Sequence, residues 1–196
     1  MRGTEGYADE VDALVRQYES IPFADMHRPQ MHLLPAAPAD VLDIGAGTGR
    51  DAAGFAALGY RVTAVEPTAA MREAARALHP EPGIAWIDDG LPELASLTGV
   101  FDVVMLTAVW MHLDAAERRA AMARVAALVK PGGVMMLSLR HGPVPAGRRM
   151  FDVTADETVA LAAAHGLAAV LNEGARDGLQ RRPGVSWTRL AFRKAL

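Results

Sequence analysis

The sequence predicts an α/β fold, a doubly wound sheet of seven strands with helices on both faces. Three observations predict it. Short apolar runs alternate with segments of helical periodicity through most of the chain. A glycine-rich turn, residues 45–49, follows the first of these runs. A polar segment without helical periodicity, 173–185, separates the last two runs, so we expect these two strands to pair antiparallel. The sheet should therefore have six parallel strands and a reversed last strand.

The sheet is predicted to occupy residues 39–196, which follow an N-terminal segment, 1–38. Residues 1–6 should lack regular structure, an amphipathic helix should run from Tyr7 to about Ser20, and a proline-rich connector should contain one short helix near Gln30–Leu34. Segment 1–38 either covers the mouth of a site or packs on the sheet without touching a ligand. Strands are predicted at 41–44, 61–65, 84–87, 101–106, 134–139, 167–172 and 187–192. Helices are predicted at 50–58, 68–79, 114–129 and 154–166, and several begin at capping residues such as Asp114 with Glu117.

Composition excludes several classes of function. The 196 residues suffice for one domain, and 51 % hydrophobic with 22 % charged residues is ordinary for a globular protein. A net charge of −3 disfavours a dedicated nucleic-acid surface. The absence of cysteine excludes disulfides, thiolate metal sites and cysteine nucleophiles, and the six dispersed histidines predict no metal site. No signal peptide or apolar run of about 20 residues is present, so we expect a soluble cytoplasmic protein without a membrane segment.

The most informative motif is the segment VLDIGAGTGR, residues 41–50. Three glycines at alternate positions allow positive φ angles and let a ligand lie against bare main chain. A purely structural turn is the alternative. The dinucleotide fingerprint G-x-G-x-x-G would require glycine where this chain has Arg50, which disfavours a nicotinamide cofactor.

The G-x-G-x-G spacing, with Asp43 two residues before the first glycine, resembles motif I of the class I S-adenosylmethionine-dependent methyltransferases. The resemblance covers about residues 39–194. It implies a Rossmann-like fold, S-adenosylmethionine as cofactor and S-adenosylhomocysteine as product. It also implies that the glycine turn cradles the methionine portion of the cofactor while the acid faces its amine. These roles fall on Asp43, Gly45, Ala46, Gly47 and Gly49.

Further cofactor contacts are implied at the ends of the second and third strands. Glu66 matches the family's acid that binds both ribose hydroxyls, although an exposed acid at a strand end is the alternative. Pro67 and Met71 could line the adenine, and Met71 could equally fill the core. Asp88 is the candidate for a side-chain contact to the adenine, with Asp89 or Gly90 offering backbone groups. The short interval to Leu91-Pro92 leaves the choice between the two aspartates open, as does a solvated acidic turn.

The segment after the fourth strand, residues 107–113, should pass the methionine end of the cofactor and begin the acceptor pocket. Thr107 is expected to offer its backbone carbonyl to the cofactor amine, and Trp110 or Met111 to wall the pocket. His112 is the leading candidate for a general base and His141 the second, since histidine accepts protons near neutral pH. Each could instead be a structural histidine. Arg140, Arg148 and Arg149 would suit an anionic acceptor or could simply be solvated.

The resemblance therefore implies methyl transfer to a small-molecule acceptor by in-line attack on the cofactor's methyl group. The cofactor carries the reactive group, so no catalytic triad is required. One alternative is a cofactor-binding or regulatory module without turnover. Another is aminopropyl transfer, which the absence of an acid in 107–113 disfavours.

Overall fold

A seven-stranded mixed sheet forms the centre of the molecule. The computed structural model describes residues 3–80, 83–177, 179 and 182–196. The strands are β1 Asp40–Ile44, β2 Arg61–Val65, β3 Ile84–Ile87, β4 Phe101–Leu106, β5 Val129–His141, β6 Leu167–Asp177 and β7 Ser186–Lys194. Their order is β3-β2-β1-β4-β5-β7-β6, and β7 pairs antiparallel with both of its neighbours. The predicted reversed last strand is confirmed.

In the described part of the chain, six α-helices connect and precede the strands. They are α1 Val11–Glu19, α2 Phe23–His27, α3 Arg50–Ala57, α4 Ala69–Leu78, α5 Ala115–Leu128 and α6 Ala155–Ala163. The predicted capping box is present at α5, where Asp114 and Glu117 exchange side-chain and backbone hydrogen bonds. Among the described residues, no helix is long and apolar enough to cross a membrane.

Three elements differ from the sequence prediction. Helix α2 lies in the connector that was predicted to hold one short helix near 30–34, where the structure has a single 3₁₀ turn, Met31–Leu33. Pro22 supplies the extended residue at the start of α2, a position that proline tolerates because no helical N–H is needed there. Strand β5 begins at Val129 and absorbs the predicted Pro-Gly-Gly turn as an irregularity in its pairing with β4. Strand β6 continues to Asp177 and so enters the predicted loop 173–185. Residues 178, 180 and 181 of that loop, and residues 1 and 2 of the N-terminal segment, lie outside the described residues.

Alternate residues of the central strands belong to two different groups of buried apolar side chains. In β4, Val104 and Leu106 join the group that includes Val125 of α5, whereas Val103 and Met105 join the group that includes Phe55 of α3. Because successive strand residues point to opposite faces, the two groups lie on opposite faces of the sheet.

The chain crosses from one half of the sheet to the other between β1 and β4. Strands β2 and β3 lie to one side of β1, and β4 and β5 lie to the other. In open sheets of this kind the connections after the two diverging strands leave a crevice beyond the carboxyl ends. The glycine turn after β1 and the segment after β4 border this crevice.

Helices α1 and α2 are attached beside the glycine turn. The Arg50 guanidinium donates to the Tyr18 carbonyl at 3.2 Å, and the Thr48 hydroxyl donates to the Glu19 carboxylate. The ring of Phe23 lies against α3 at Gly54, where a Cβ atom would come within 2.2 Å of the ring. The absence of a side chain at this position lets α2 pack closely on α3.

Candidate functional site

A cavity of about 320 Å³ opens at the crevice, within the usual range for small-molecule sites. It is bordered by the glycine turn, the ends of β2 and β4, the β5–β7 pair and the N-terminal segment. The predicted site residues that line it are Asp43, Gly45, Ala46, Gly47, Glu66, Pro67, Gly90, Thr107, Met111, His112, Arg140 and Arg148. Lining residues that sequence reasoning did not assign to the site include Tyr7, Tyr18, Asp51, Ser138, Trp187 and Arg189.

The glycine turn has positive φ angles at all three glycines, but each glycine meets a different need. A Cβ atom at Gly45 would lie 2.5 Å from Val109, and one at Gly49 would lie 2.8 Å from the Trp86 ring. Gly49 therefore serves packing. It does not line the cavity, although the resemblance implied that it contacts the cofactor. Gly47, with φ +57°, borders the open space of the cavity, and a Cβ atom there would make only ordinary van der Waals contacts, the nearest at 3.9 Å.

Glu66 places its carboxylate beside that open space. The side chain is only 6 % exposed; Oε2 accepts from the Gly47 N–H at 2.9 Å and Oε1 accepts from the Thr68 N–H at 2.8 Å. Burial raises the pKa of Glu66, and the two backbone N–H groups oppose that shift. The Thr68 side chain also hydrogen-bonds this carboxylate. A carboxylate has about four acceptor positions, so one position remains open to the cavity.

Asp43 is a buried carboxylate with an unsatisfied oxygen. The Ala52 N–H donates to its carboxylate, but Oδ2 has no hydrogen-bond partner among the described atoms. Burial raises the pKa of Asp43 well above its usual value; neighbouring Asp51 adds to the shift and Arg50 opposes it. Since buried polar atoms are nearly always satisfied, this oxygen calls for a donor, best a cation, from the cavity.

Asp51 is a functional residue that sequence reasoning missed. Its carboxylate accepts from the Thr107 hydroxyl at 2.7 Å and lies 2.9 Å from His27 Nε2 and 2.8 Å from Arg50 Nε. Burial alone would raise the pKa of Asp51, but His27 and Arg50 outweigh it and hold that pKa well below the usual range. Asp51 thus fixes Thr107 at the end of β4. The available signal was an acid in the first turn of the helix that follows the glycines.

The segment after β4 is bent sharply at the cavity. Ala108 has φ +59°, unusual for a residue with a side chain, and its N–H donates to Ser138 Oγ at 2.9 Å. Such strained backbone is often found at functional sites. Met111 lines the cavity as one of the two predicted wall residues, whereas Trp110 is fully buried in the core.

His112 has partners on both ring nitrogens. Nδ1 lies 2.8 Å from the Arg149 carbonyl, which can only accept, so Nδ1 carries the proton. Nε2 therefore accepts from the Tyr7 hydroxyl, 3.0 Å away. Tyr7 is in turn hydrogen-bonded to Tyr18. Burial lowers the pKa of His112.

Four other predicted residues lie away from the cavity lining. Met71 is fully buried in the interior, which matches its alternative role as core filler. Asp88 points its carboxylate to Arg72 at 2.8 Å, and Asp89 accepts from the N–H groups of its own loop, so only Gly90 and Leu91 of this loop line the cavity. The His141 ring is hydrogen-bonded to the Thr188 hydroxyl, 2.9 Å away, and does not line the cavity. Spacing along the chain had indicated proximity to the site but not the direction of these side chains.

Comparisons with known proteins agree with this arrangement. Residues 41–133 match the family model described as a methyltransferase domain. An uncharacterized methyltransferase of Oceanobacillus iheyensis is 28 % identical over 130 residues, which is 66 % of this chain and 60 % of that protein. The ubiquinone biosynthesis O-methyltransferase of a Bradyrhizobium species is 36 % identical over 100 residues, 50 % of this chain and 38 % of that protein. The chain thus spans less than two thirds of the length of these relatives.

Among solved structures, the 1,6-didemethyltoxoflavin-N1-methyltransferase of Burkholderia thailandensis, with its substrate and S-adenosylhomocysteine bound, superposes with a TM-score of 0.67. It is 22 % identical, and the match covers 98 % of this chain and 80 % of that one, a likeness that establishes the fold. The family-model match, which spans the glycine turn and the ends of β2, β3 and β4, and the shared fold identify residues 41–133 as a methyltransferase domain of the class I S-adenosylmethionine-dependent type.

Proposed function

We propose that the chain binds S-adenosylmethionine and transfers its methyl group to a small-molecule acceptor. The observation that carries the proposal is the bare turn at Gly47, placed between two buried acids that keep free acceptor positions toward the cavity. Asp43 would face the ammonium of the cofactor, and Glu66 would accept from the ribose hydroxyls. Gly90, Leu91 and Pro67 would border the adenine, while the Thr107 carbonyl would add a contact to the amine.

The residues of the chain would act by binding and alignment. When bound, S-adenosylmethionine supplies an electrophilic methyl group that an acceptor lone pair attacks in line. Holding two reactants in the correct geometry can contribute about 7–11 kcal/mol to such a step. The acceptor half of the cavity would hold the attacking atom near the end of β4.

We assign His112 the role of proton acceptor, acting through Tyr7. The Tyr7 hydroxyl already donates to Nε2, so a proton passed from an acceptor to the Tyr7 oxygen moves the hydroxyl proton onto His112. The Arg149 carbonyl stabilises the resulting imidazolium at Nδ1.

This assignment requires His112 to be neutral at working pH. Burial lowers the pKa of His112, so at pH 6.5, where an ordinary histidine is about half protonated, we expect the neutral form of His112 to predominate. Nitrogen-15 NMR of the imidazole ring should show a neutral ring with the proton on Nδ1 at that pH. A ring that is half or more charged at pH 6.5 would contradict the assignment. His32, which is exposed, serves as the internal reference.

Segment 1–38 would form the cover of this site, as a unit distinct from the domain at 39–196, and helices would cover both faces of the sheet. Gly3, Tyr7, Leu14 and Tyr18 line the cavity, and α1 is tied to the glycine turn through Arg50. The two apolar groups, which include residues of α3 and α5, support helices on both faces. Such a cover would exclude water from the reacting atoms.

The first test of the proposed function is the substitution Gly47→Ala. A Cβ atom there fits the folded chain but enters the space left for the cofactor, so we expect S-adenosylhomocysteine affinity to fall at least about tenfold by calorimetry. Gly59→Ala is the matched control, since Gly59 also has a positive φ, +87°, and a Cβ there would lie 3.7 Å from Ala37, outside the cavity. Both variants should lose similar stability, about 1–2 kcal/mol. Failure of wild-type protein to bind S-adenosylmethionine and S-adenosylhomocysteine, or equal binding by both variants, would overturn the proposal.

A further inference from the structure

A buried arginine, Arg140, lies at the acceptor end of the cavity. Arg140 is only 8 % exposed and lines the cavity. Its hydrogen bond is a long one, from Nη1 to the Gly142 carbonyl at 3.4 Å, and no carboxylate of the described part of the chain lies within ion-pair distance. A buried charge is normally paired, because removing it from water is costly.

Arg140 belongs to a four-residue patch on one face of the β5–β7 pair, which we call the β5–β7 patch. Its members are Ser138, Arg140, Trp187 and Arg189, all of which line the cavity. The register pairs Arg140 with Trp187 and Ser138 with Arg189, so the four side chains project from the same face. Arg189 has a loose partner, the Glu173 carboxylate at 3.6 Å.

Charge is distributed unevenly along the cavity. Three buried acids, Asp43, Asp51 and Glu66, lie near the ends of β1 and β2, where the cationic cofactor would bind. The basic residues Arg140 and Arg189 lie on β5 and β7. Burial, together with nearby Arg182, lowers the pKa of Arg140, so its charge is held in an environment that disfavours it. An anion bound at this end would relieve that cost.

We propose that the methyl acceptor is an organic anion whose carboxylate or phosphate group is bound by Arg140 on the β5–β7 patch. The guanidinium offers a planar fork that matches either group with two hydrogen bonds. Trp187, the strand neighbour of Arg140, provides an apolar surface for the body of the acceptor. This inference rests on the proposed function, because it assigns the second substrate of the same site.

Calorimetry on the full chain saturated with S-adenosylhomocysteine tests the inference. The probes are benzoate, its neutral counterpart benzamide, and inorganic phosphate. We expect benzoate to bind at least tenfold more tightly than benzamide, phosphate binding to be detectable, and Arg140→Gln to abolish both effects. Arg140→Lys, which keeps the charge without the fork, should give an intermediate result. Arg119→Gln, the same change at an exposed position on α5, should behave as wild type.

The outcomes separate this inference from the proposed function. Absence of S-adenosylhomocysteine binding to wild-type protein defeats the proposed function itself. If wild-type protein binds S-adenosylhomocysteine normally but shows no preference for benzoate or phosphate over benzamide, only the proposal of an anionic acceptor is overturned. An Arg140→Gln variant that keeps the preference overturns that proposal as well. The comparison of benzoate with benzamide in wild-type protein tests the anionic acceptor even if the Arg140→Gln variant folds poorly. Arg140 forms no ion pair with a described residue, so the unfolding temperature of ligand-free Arg140→Gln should equal or exceed that of wild type. A marked decrease would indicate a structural arginine and count against the proposal.

Discussion

Replacing Glu66 by alanine should lower the affinity for S-adenosylhomocysteine about tenfold to a hundredfold. The carboxylate accepts from Gly47 and from Thr68 and keeps one open position for a ribose hydroxyl. A hydrogen bond to a charged group contributes about 1.5–3 kcal/mol, so loss of one such bond to the ligand accounts for that factor. The Gly47 N–H also loses its partner, which should loosen the turn that forms the floor of the site.

Calorimetry against Glu73→Ala distinguishes this effect from a general effect of removing an acid. Glu73 is exposed on α4, the helix that follows Glu66 in the chain. Its replacement should leave the affinity for S-adenosylhomocysteine unchanged. Glu66→Gln should also bind weakly, because its amide N–H₂ would face one of the two backbone N–H donors. If Glu66→Ala retains affinity within threefold of wild type, Glu66 does not bind the ribose.

The cofactor half of the site could be predicted from local sequence because of the geometry of parallel strands. The carboxyl ends of β1, β2 and β4 meet at one edge of the sheet, so Asp43, Glu66 and Thr107 come together whatever the loops do. Positive φ at alternate glycines was likewise encoded locally, by residue types that permit it.

The acceptor half could not be predicted in the same way. The patch formed by Ser138, Arg140, Trp187 and Arg189 depends on the register between β5 and β7, which are separated by the whole of α6 and β6. A shift of one residue would send Arg140 and Trp187 to different faces, and no local pattern fixes that register. Tyr7 contacts His112 across 105 residues, so the proposed proton-accepting pair could not be predicted from spacing along the chain either.

Local spacing also failed to give side-chain direction. Asp88 lies at the end of β3, at the correct edge, yet turns to Arg72, and the Asp89 carboxylate closes its own loop. Each finds a nearby donor that competes with the cavity. A carboxylate oxygen without a described donor, such as Oδ2 of Asp43, is therefore the more informative feature of the cavity. The consequences of this unpaired oxygen can be measured without a methyl acceptor.

The substitution Asp43→Asn should stabilise the ligand-free protein while weakening cofactor binding. Because the pKa of Asp43 is raised in the folded chain, folding is favoured by its protonated form, and stability is lost as the pH rises through that raised pKa. At neutral pH the neutral amide avoids this loss, and a gain of about 1 kcal/mol would raise the unfolding temperature by about 2–4 °C. Below the ordinary carboxyl pKa the wild type is protonated as well, so the difference should vanish.

The same variant loses the carboxylate that we propose faces the ammonium group of the cofactor. We expect S-adenosylmethionine affinity to fall between tenfold and a hundredfold, as for loss of one charged hydrogen bond. For wild type, affinity should increase with pH as Asp43 ionises, whereas Asp43→Asn should show a weaker pH dependence. The opposite signs matter, because a residue that merely supported the turn would lower both stability and affinity when replaced. Thermal unfolding with and without S-adenosylmethionine, across pH 4–8, measures both quantities in one experiment, and a lower ligand-free unfolding temperature at neutral pH would show that Asp43 is structural.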